Sequence, residues 1–171
     1  MVKNDNILAL ASPSGVGAIS LIRISGPQSI SIVDNIFDGI EKIKLADQEA
    51  NRVQLGYIID NKRIIDKVLV TVFRNPKSYT GEDLVEISCH GSTFIQESII
   101  QLMLKFDCRV ANPGEFTMRS FLNGKMDLSQ AESVADLISS NSEASHKLAM
   151  NQMRGGFKND INDLRAELVN F

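Results

Sequence analysis

The sequence predicts an α+β fold with a mixed, largely antiparallel sheet and packed helices, followed by an all-helical segment. Three observations support this prediction. Short apolar runs bounded by turn residues recur over residues 7–111, and helices starting near Pro27 and Thr93 interrupt them. Two of the runs flank Asp60-Asn61, a dipeptide typical of a hairpin turn. From Asp127 onward only helical periodicity remains.

The predicted elements follow one another at short intervals. Residues 7–11 and 19–25 are expected to be strands, separated by a turn-rich segment that contains Gly15 and Gly17. The other expected elements are a helix after Gly26-Pro27 in which Ile30, Val33 and Phe37 recur, a hairpin of strands 53–59 and 67–73, a strand over 84–89, a helix over 93–106 and a short strand over 109–111.

The segment NPGEFTMRSFLNGKMD, residues 112–127, carries signals for the start and the end of a helix. Asn112 can cap the helix, Glu115 lies where a capping-box carboxylate reaches back, and Asn123-Gly124 favours a left-handed end. Asp127 and Gln130 form a second capping pattern. The helical stripes that follow are expected over residues 128–138, over 143–153, and at Phe157, Ile161, Leu164 and Leu168.

The last apolar stripe reaches Phe171 without a stop signal. We therefore expect the chain to be part of a longer protein, the alternative being a native helix that ends at the C-terminus.

Composition excludes several classes of function. The chain has 171 residues, 43% of them hydrophobic and 23% charged, which is enough for a real core. A net charge of −3 disfavours phosphate-driven nucleic-acid binding by this chain alone, although a small anion needs only two or three cations. Neither a membrane span nor a secretory pattern is predicted, and two cysteines form no disulfide framework, so the cytoplasm is the expected compartment.

No metal site is predicted. Cys89 and Cys108 lie in apolar runs and are expected to be buried thiols, and His90 and His146 form no cluster with zinc spacing. His90 could be a proton shuttle, but a hydrogen-bonded structural histidine is the favoured interpretation, because no nucleophile or base accompanies it.

The Gly15/Gly17 loop invites a phosphate-binding interpretation that the sequence does not support. A P-loop requires a Lys-Ser/Thr pair and a helix after the glycines, whereas here no lysine follows and the next element is a predicted strand. We expect a tight turn between strands. No Walker-type motif occurs elsewhere, so this chain is not a nucleotide hydrolase by itself.

Arg23 and Glu86 each place a charge in the middle of an apolar strand. Such charges need a partner, which is either each other, in a buried salt bridge, or a ligand. Both interpretations are open from the residues alone. Lys125, near Arg119 and Asp127, would ordinarily be a solvated charge after Asn-Gly and becomes a site candidate only if it converges with Arg23 and Glu86.

Three blocks of this sequence resemble a known family. They are P-x-G-x-G-A-I-x-x-I-R-I-S-G at residues 13–26, Y-T-G-E-D-x-V-E-I-x-x-H-G at 79–91, and P-G-E-F-T-x-R-x-F-L-N-G-K-x-D-L-x-x-A-E at 113–132. In order and spacing the chain resembles the N-terminal part of the bacterial tRNA-modification GTPase family MnmE, also called TrmE. With the helical tail, the resemblance covers essentially the whole chain.

The resemblance implies a domain plan. Residues 1–118 would form a tetrahydrofolate-binding and dimerisation domain, similar to the folate-binding domain of the glycine-cleavage aminomethyltransferase. Residues 119–171 would begin a helical domain, into which family members insert a G domain that is absent here. GTP, potassium and magnesium would bind only in that G domain. The full protein would act, with the FAD-dependent partner MnmG (GidA), on the wobble uridine of tRNA.

The resemblance also implies the site residues. Arg23, Glu86 and Lys125 occupy the family's folate-contact positions, with 5-formyltetrahydrofolate as the best-known ligand. A carboxylate such as Glu86 matches the ring N–H and amino group of a pterin, and Arg23 or Lys125 would suit the carboxylates of the glutamate tail. No catalytic residue and no metal ligand is expected in this chain.

Two positions depart from the family pattern. Ser92 replaces the second glycine of H-G-G, and Asn112 replaces the arginine of R-P-G-E-F, which removes one possible cation. Two rival functions are open. One is a ligand-free dimerisation scaffold in which Arg23 and Glu86 simply pair. The other is a stand-alone folate-dependent one-carbon transferase, for which 171 residues leave little room.

Overall fold

The computed structural model describes residues 5–156, 161, 164–166 and 169. They divide into two compact units, Met1–Phe116 and Thr117–Phe171. The elements in chain order are β1 (Asn6–Leu10), β2 (Ile19–Ser25), α1 (Ser29–Asp34), β3 (Phe37–Gly39), β4 (Val53–Asp60), β5 (Arg63–Phe73), β6 (Leu84–His90), α2 (Thr93–Met103), β7 (Cys108–Val110), α3 (Glu115–Leu122), α4 (Leu128–Ser139) and α5 (Glu143–Met153).

The first unit is built on one sheet of seven described strands in the order β3-β4-β5-β6-β2-β1-β7. Every neighbouring pair is antiparallel except β1–β7, which is parallel. The mixed, largely antiparallel sheet of the sequence prediction is therefore confirmed, and so is the α+β class.

Alternation along the strands sends one face of the sheet into the core. Ile22 and Ile24 of β2 and Val85 and Ile87 of β6 are fully buried, together with residues of α1 and α2. The residues between them on each strand lie on the opposite face and are only partly buried. This second face is called the open face below, and it carries both charged residues of the predicted site.

Two predicted helices end earlier than their apolar pattern suggested. Phe37 was expected to extend the first helix, but α1 ends at Asp34 and Phe37 begins β3, opposite Ile58 of β4. Pairing with a distant strand outweighs the local periodicity there. α2 ends at Met103 rather than at residue 106, because the N–H groups of Lys105 and Phe106 donate to carbonyls three residues back and tighten the chain.

The second unit is helical, as predicted. α3 ends at Asn123-Gly124, where Gly124 has φ +70°. The N–H of Gly124 donates to Phe121 O and that of Lys125 donates to Ser120 O, which is the pair of bonds of a Schellman ending.

The predicted cap of the next helix is confirmed. Asp127 accepts from Gln130 N, the side chain of Gln130 accepts from Asp127 N, and α4 and α5 pack against each other. Of the last predicted stripe, Phe157 and Leu168 lie outside the described residues, whereas Ile161 and Leu164 are exposed. No helix of the described part is long and apolar enough to cross a membrane.

Candidate functional site

Arg23 and Glu86 lie directly opposite each other on the neighbouring strands β2 and β6. The same row across the sheet continues with Thr71 of β5 on one side and Ala9 of β1 on the other. Because residues in register point to the same face, the row places both charges on the open face, away from the apolar core. The structure thus brings together the two site candidates that the sequence placed in strands.

The contact between them uses only one oxygen of the carboxylate. Arg23 donates from Nε (2.9 Å) and from Nη2 (2.7 Å) to the same atom, Glu86 Oε1. Among the described residues of the first unit, Glu86 Oε2 accepts no hydrogen bond. The side chains are 24% and 20% exposed, so the pair is accessible rather than sealed in the core. Its geometry fits a structural salt bridge and also leaves an acceptor for a ligand.

Two aromatic rings lie beside the guanidinium of Arg23. Its Cζ is 5.2 Å from the centroid of the Tyr79 ring and 5.8 Å from that of Phe116. Both distances are within the range of a cation–π interaction. The prediction of site residues omitted these rings, although each belongs to one of the three sequence blocks. The blocks therefore converge in the first unit, with Arg23 from the first, Tyr79 and Glu86 from the second, and Phe116 from the third.

Side-chain hydrogen bonds tie the loop that carries Tyr79 to the end of β2. Ser25 Oγ lies 2.7 Å from Thr80 Oγ1 and donates to Glu82 Oε2, also at 2.7 Å. Ser29 Oγ donates to the carbonyl of Asp83. Ser25 and Thr80 are fully buried. The polar residues of the Y-T-G-E-D block thus position the loop, and with it the ring of Tyr79.

An ion-pair network positions the start of α3 and thus Phe116. Arg109 on β7 donates from Nη1 and Nη2 to the two carboxylate oxygens of Glu115, and from Nε to Asp5. Hydrogen bonds to Glu115 and then to Asp5 raise the pKa of Arg109 above its already high ordinary value, so it stays charged. Glu115 also accepts from the N–H of Asn112, which is the predicted reach-back. Because the backbone makes this last contact, it does not depend on the side chain at position 112.

Lys125 lies in the second unit, directly after α3, and is exposed. Its backbone closes the Schellman ending described above. The nearby Arg119 on α3 is almost fully buried, in contrast to Lys125. Convergence of Lys125 with Arg23 and Glu86 stays a prediction.

His90 is a hydrogen-bonded residue at the end of β6, as the favoured interpretation expected. Its Nδ1 lies 2.7 Å from Asp66 Oδ1, and its backbone N–H donates to Asp66 Oδ2 at 2.8 Å. Asp66 is buried and also accepts from the N–H of Lys67. This arrangement fixes the strand end.

The Gly15/Gly17 segment lies in the eight-residue connection, residues 11–18, between the antiparallel strands β1 and β2. The predicted strand after the glycines is therefore confirmed, but the connection is a loop rather than the expected tight turn. The N–H of Gly17 donates to the carbonyl of Gly91 at 2.9 Å. A β-carbon on Gly91 would lie 2.6 Å from the carbonyl carbon of Gly17, closer than real Cβ atoms come. Gln96, at the start of α2, also donates to Gly15 O. The glycines of the first two blocks thus permit close backbone contact at this point.

The cysteines behave as structural thiols. Cys89 is buried and Cys108 partly buried, and burial is the main reason that the pKa of each thiol is raised to about 11. No group of three or more potential metal ligands occurs among the described residues.

Two other surfaces of the first unit could receive a molecule. One is a cavity of about 470 Å³ between β3, the β4–β5 turn and α2, where Lys105 pairs with Asp60. The other is the open face beside the Arg23–Glu86 row, where Ile19, Leu55 and Leu69 are exposed. Leu55 lies opposite Leu69, which lies opposite Ser88, so Leu55 and Leu69 belong to the next row of this face. Ile19 lies opposite His90, one row further along.

Comparison with known proteins matches the chain in two parts. A protein-family model described as "GTP-binding protein TrmE N-terminus" matches residues 6–125, and a second one, described as "MnmE helical domain", matches residues 128–171.

Individual relatives match along the whole chain. A protein named tRNA modification GTPase MnmE from Flavobacterium johnsoniae is 60% identical over 171 residues, which is all of this chain and 37% of that protein. Proteins of the same name from Christiangramia forsetii and Bacteroides thetaiotaomicron are 58% and 53% identical, over 100% and 99% of this chain and over 36% and 37% of their own lengths. The chain thus spans a little over a third of these relatives, and it belongs to the MnmE/TrmE family.

Proposed function

We propose that this chain is the N-terminal module of a tRNA-modifying GTPase. The module binds a one-carbon donor of the 5-formyltetrahydrofolate type and dimerises. It thereby supports an aminomethyl-type modification of the tRNA wobble uridine at C5, in the cytoplasm. The tRNA part of this proposal rests on the names of relatives that match the whole chain at up to 60% identity. The folate part rests on the Arg23–Glu86 pair.

The observation that best supports folate binding is that Arg23 contacts only Oε1 of the Glu86 carboxylate, so that Oε2 can accept from a ligand. A pterin presents a ring N–H and an amino group side by side, and an accessible carboxylate on a rigid strand is a suitable acceptor for them. Arg23 keeps a positive charge next to that carboxylate and has an Nη1 group that makes no hydrogen bond within the described first unit. Lys125, from the second unit, is proposed as a further cation for the ligand's carboxylates.

Dimerisation is supported by the open face. Ile19, at the start of β2, is 69% exposed, and Leu69, within β5, is 45% exposed, although both belong to strands of the sheet rather than to a loop. A contiguous exposed apolar surface of this kind marks protein contact sites more often than free solvent surface. A second copy of the chain is the proposed occupant, which would bring the subunit interface next to the Arg23–Glu86 row.

GTP hydrolysis is assigned to the parent protein rather than to this module. None of the 171 residues forms a G-x-x-x-x-G-K-[S/T] motif, so GTP, potassium and magnesium are proposed to bind in a G domain beyond this chain. The module itself is proposed to be non-catalytic. Contact with tRNA and with an FAD-dependent MnmG-type partner is likewise proposed for the full-length protein.

One specific observation favours the ligand-free scaffold as a second candidate. Arg23 and Glu86 pair with each other at 2.7 Å, which is what a purely structural pair would do. The same strands and the same apolar face would serve a dimer whether or not folate binds. The two candidates therefore differ only in the response to the ligand.

Calorimetric titration of 5-formyltetrahydrofolate into the chain separates the candidates. We expect saturable binding near one ligand per subunit. Glu86→Ala removes the carboxylate, and since hydrogen bonds to a charged group contribute about 1.5–3 kcal/mol each, binding should weaken at least about tenfold. Sedimentation equilibrium on the same samples reports the subunit state.

The matched control is Glu41→Ala. Glu41 also pairs with an arginine, Arg52 at 2.9 Å, but this pair is exposed and lies away from β2 and β6. The control should bind like the wild type. A folded, dimeric wild-type chain that binds no folate would refute the folate-binding proposal and leave the scaffold.

A further inference from the structure

The contact between Arg23 and Glu86 has an unusual geometry for an arginine–carboxylate pair. Arginine most often meets a carboxylate with two nitrogens on two oxygens, because its fork matches the spacing of those oxygens. Here Nε and Nη2 both donate to Oε1, at 2.9 and 2.7 Å. The guanidinium is therefore displaced toward one side of the carboxylate, and Oε2 is left over.

Two aromatic residues, Tyr79 and Phe116, lie beside the displaced guanidinium. Both rings lie within 6 Å of the Arg23 guanidinium. Each such contact favours a particular place for the cation, with a strength that grows as the site becomes less exposed. Arg23 is about three-quarters buried, so its guanidinium has little freedom to leave the rings for the second oxygen.

Both rings are themselves firmly positioned. Tyr79 precedes the buried Thr80, whose hydroxyl contacts Ser25 on the same strand as Arg23. Phe116 follows Glu115, which Arg109 binds through both carboxylate oxygens. Two separate polar networks thus hold the two rings beside the guanidinium.

We propose that Tyr79 and Phe116 are positioning residues for the ligand site: they keep Arg23 on Oε1 of Glu86 and so keep Oε2 available for a hydrogen-bond donor of the bound pterin. This inference rests on the proposed folate function. It assigns the two rings a role that acts through Arg23 and not through contact with the ligand. Loss of either ring lets the Arg23 guanidinium move so that it binds both carboxylate oxygens of Glu86, and Oε2 is then no longer available to the ligand.

The direct test observes the Arg23 Nε–H group by NMR of the ¹⁵N-labelled chain without any ligand. A hydrogen-bonded Nε–H that exchanges slowly gives a separate resonance, which Arg23→Lys identifies by its loss. We expect Tyr79→Leu and Phe116→Leu to shift or broaden this resonance, and Tyr79→Phe, which keeps the ring, to preserve it. Phe94→Leu is the matched control, since Phe94 stacks on another arginine, Arg63, at 5.5 Å.

A second measurement connects the rings to the ligand. In titrations with 5-formyltetrahydrofolate, Tyr79→Leu should weaken binding about three- to tenfold, the range expected for losing one partly buried cation–π contact. In an Arg23→Gln background the same substitution should have little further effect, because the residue through which the ring acts is gone. Thermal melting of each variant checks that it is folded.

The outcomes separate this inference from the proposed function. An unchanged Nε–H resonance in both folded leucine variants would overturn the positioning role, whether or not folate binds. A full loss of affinity on adding Tyr79→Leu to Arg23→Gln would also overturn it, since the ring would then contact the ligand itself. A wild-type chain with the expected NMR response but no folate binding would refute the proposed function and with it the ligand role of Oε2.

Discussion

Replacing Gly91 by alanine should destabilise the first unit strongly, although the change adds a single methyl group. Its β-carbon would lie 2.6 Å from the carbonyl carbon of Gly17 and 3.0 Å from the Gly17 Cα, where ordinary contacts are 3.4–4 Å. The two backbones would have to separate by about 1 Å. No side-chain rotation can relieve the contact, because the atoms that collide belong to the main chain.

The expected loss of stability follows from that separation of the two backbones. Moving the backbones apart breaks the 2.9 Å bond from Gly17 N to Gly91 O, which costs about 1 kcal/mol. Overpacking of a tight contact adds about 1–3 kcal/mol. A total of about 2–4 kcal/mol corresponds to a fall in melting temperature of roughly 5–15 °C for a domain of this size.

The assay is thermal and urea unfolding followed by circular dichroism, with Gly17→Ala as the matched control. A β-carbon on Gly17 would have its nearest neighbour, the carbonyl oxygen of Ile19, at an ordinary 3.7 Å. The control should therefore change stability by less than about 1 kcal/mol. Equal destabilisation by both substitutions, or none by Gly91→Ala, would refute the assignment of this glycine to close backbone packing.

Two further predictions concern the helical unit and the thiols. Asp127→Ala removes the capping box of α4 and should lower the free energy of unfolding in urea by about 1 kcal/mol. The control Asp136→Ala, on the exposed side of the same helix, should change it little. Equal effects of the two substitutions would count against the cap. The thiol pKa of Cys89, raised from 9.0 to about 11 by burial and the nearby Asp66 charge, should slow alkylation at pH 8 about a hundredfold relative to the unfolded chain. Between pH 9 and 11 the Cys89 thiol keeps its proton in the folded state but loses it in the unfolded state, so the free energy of unfolding should fall as the pH rises through this range. A Cys89→Ala variant that loses the same amount of stability over this range would contradict this contribution.

Much of the fold could be predicted because its signals are local. The alternation in ISLIRIS and LVEISC predicted β2 and β6 and showed that Arg23 and Glu86 interrupt apolar runs. The end of α3 at Gly124 and the start of α4 at Asp127 were predicted for the same reason, since a capping signal acts within three or four residues.

What could not be predicted depends on contacts between distant parts of the chain. Phe37 fits a helical period, but its place is decided by pairing with Ile58 on β4. The rings beside Arg23 come from positions 79 and 116, far from it in sequence, and no periodicity links them. Only their occurrence in the same three sequence blocks could have indicated that they meet.

The buried state of Arg119 was missed for a similar reason. Arg119 lies on α3, where the apolar residues Met118 and Phe121 are exposed, so the apolar pattern of the sequence does not indicate which side of this helix is covered. Burial of a charge is decided by what the rest of the fold brings next to it. Sequence patterns therefore identified the strand charges of the site but not their surroundings.

The most direct test of the central claim is a crystal structure of this chain with 5-formyltetrahydrofolate bound. The account predicts the pterin on the open face, with one of its N–H donors within hydrogen-bond distance of Glu86 Oε2 and with Arg23 still on Oε1. Ligand bound instead in the cavity beside Lys105 and Asp60, or a Glu86 carboxylate without any ligand contact, would contradict it.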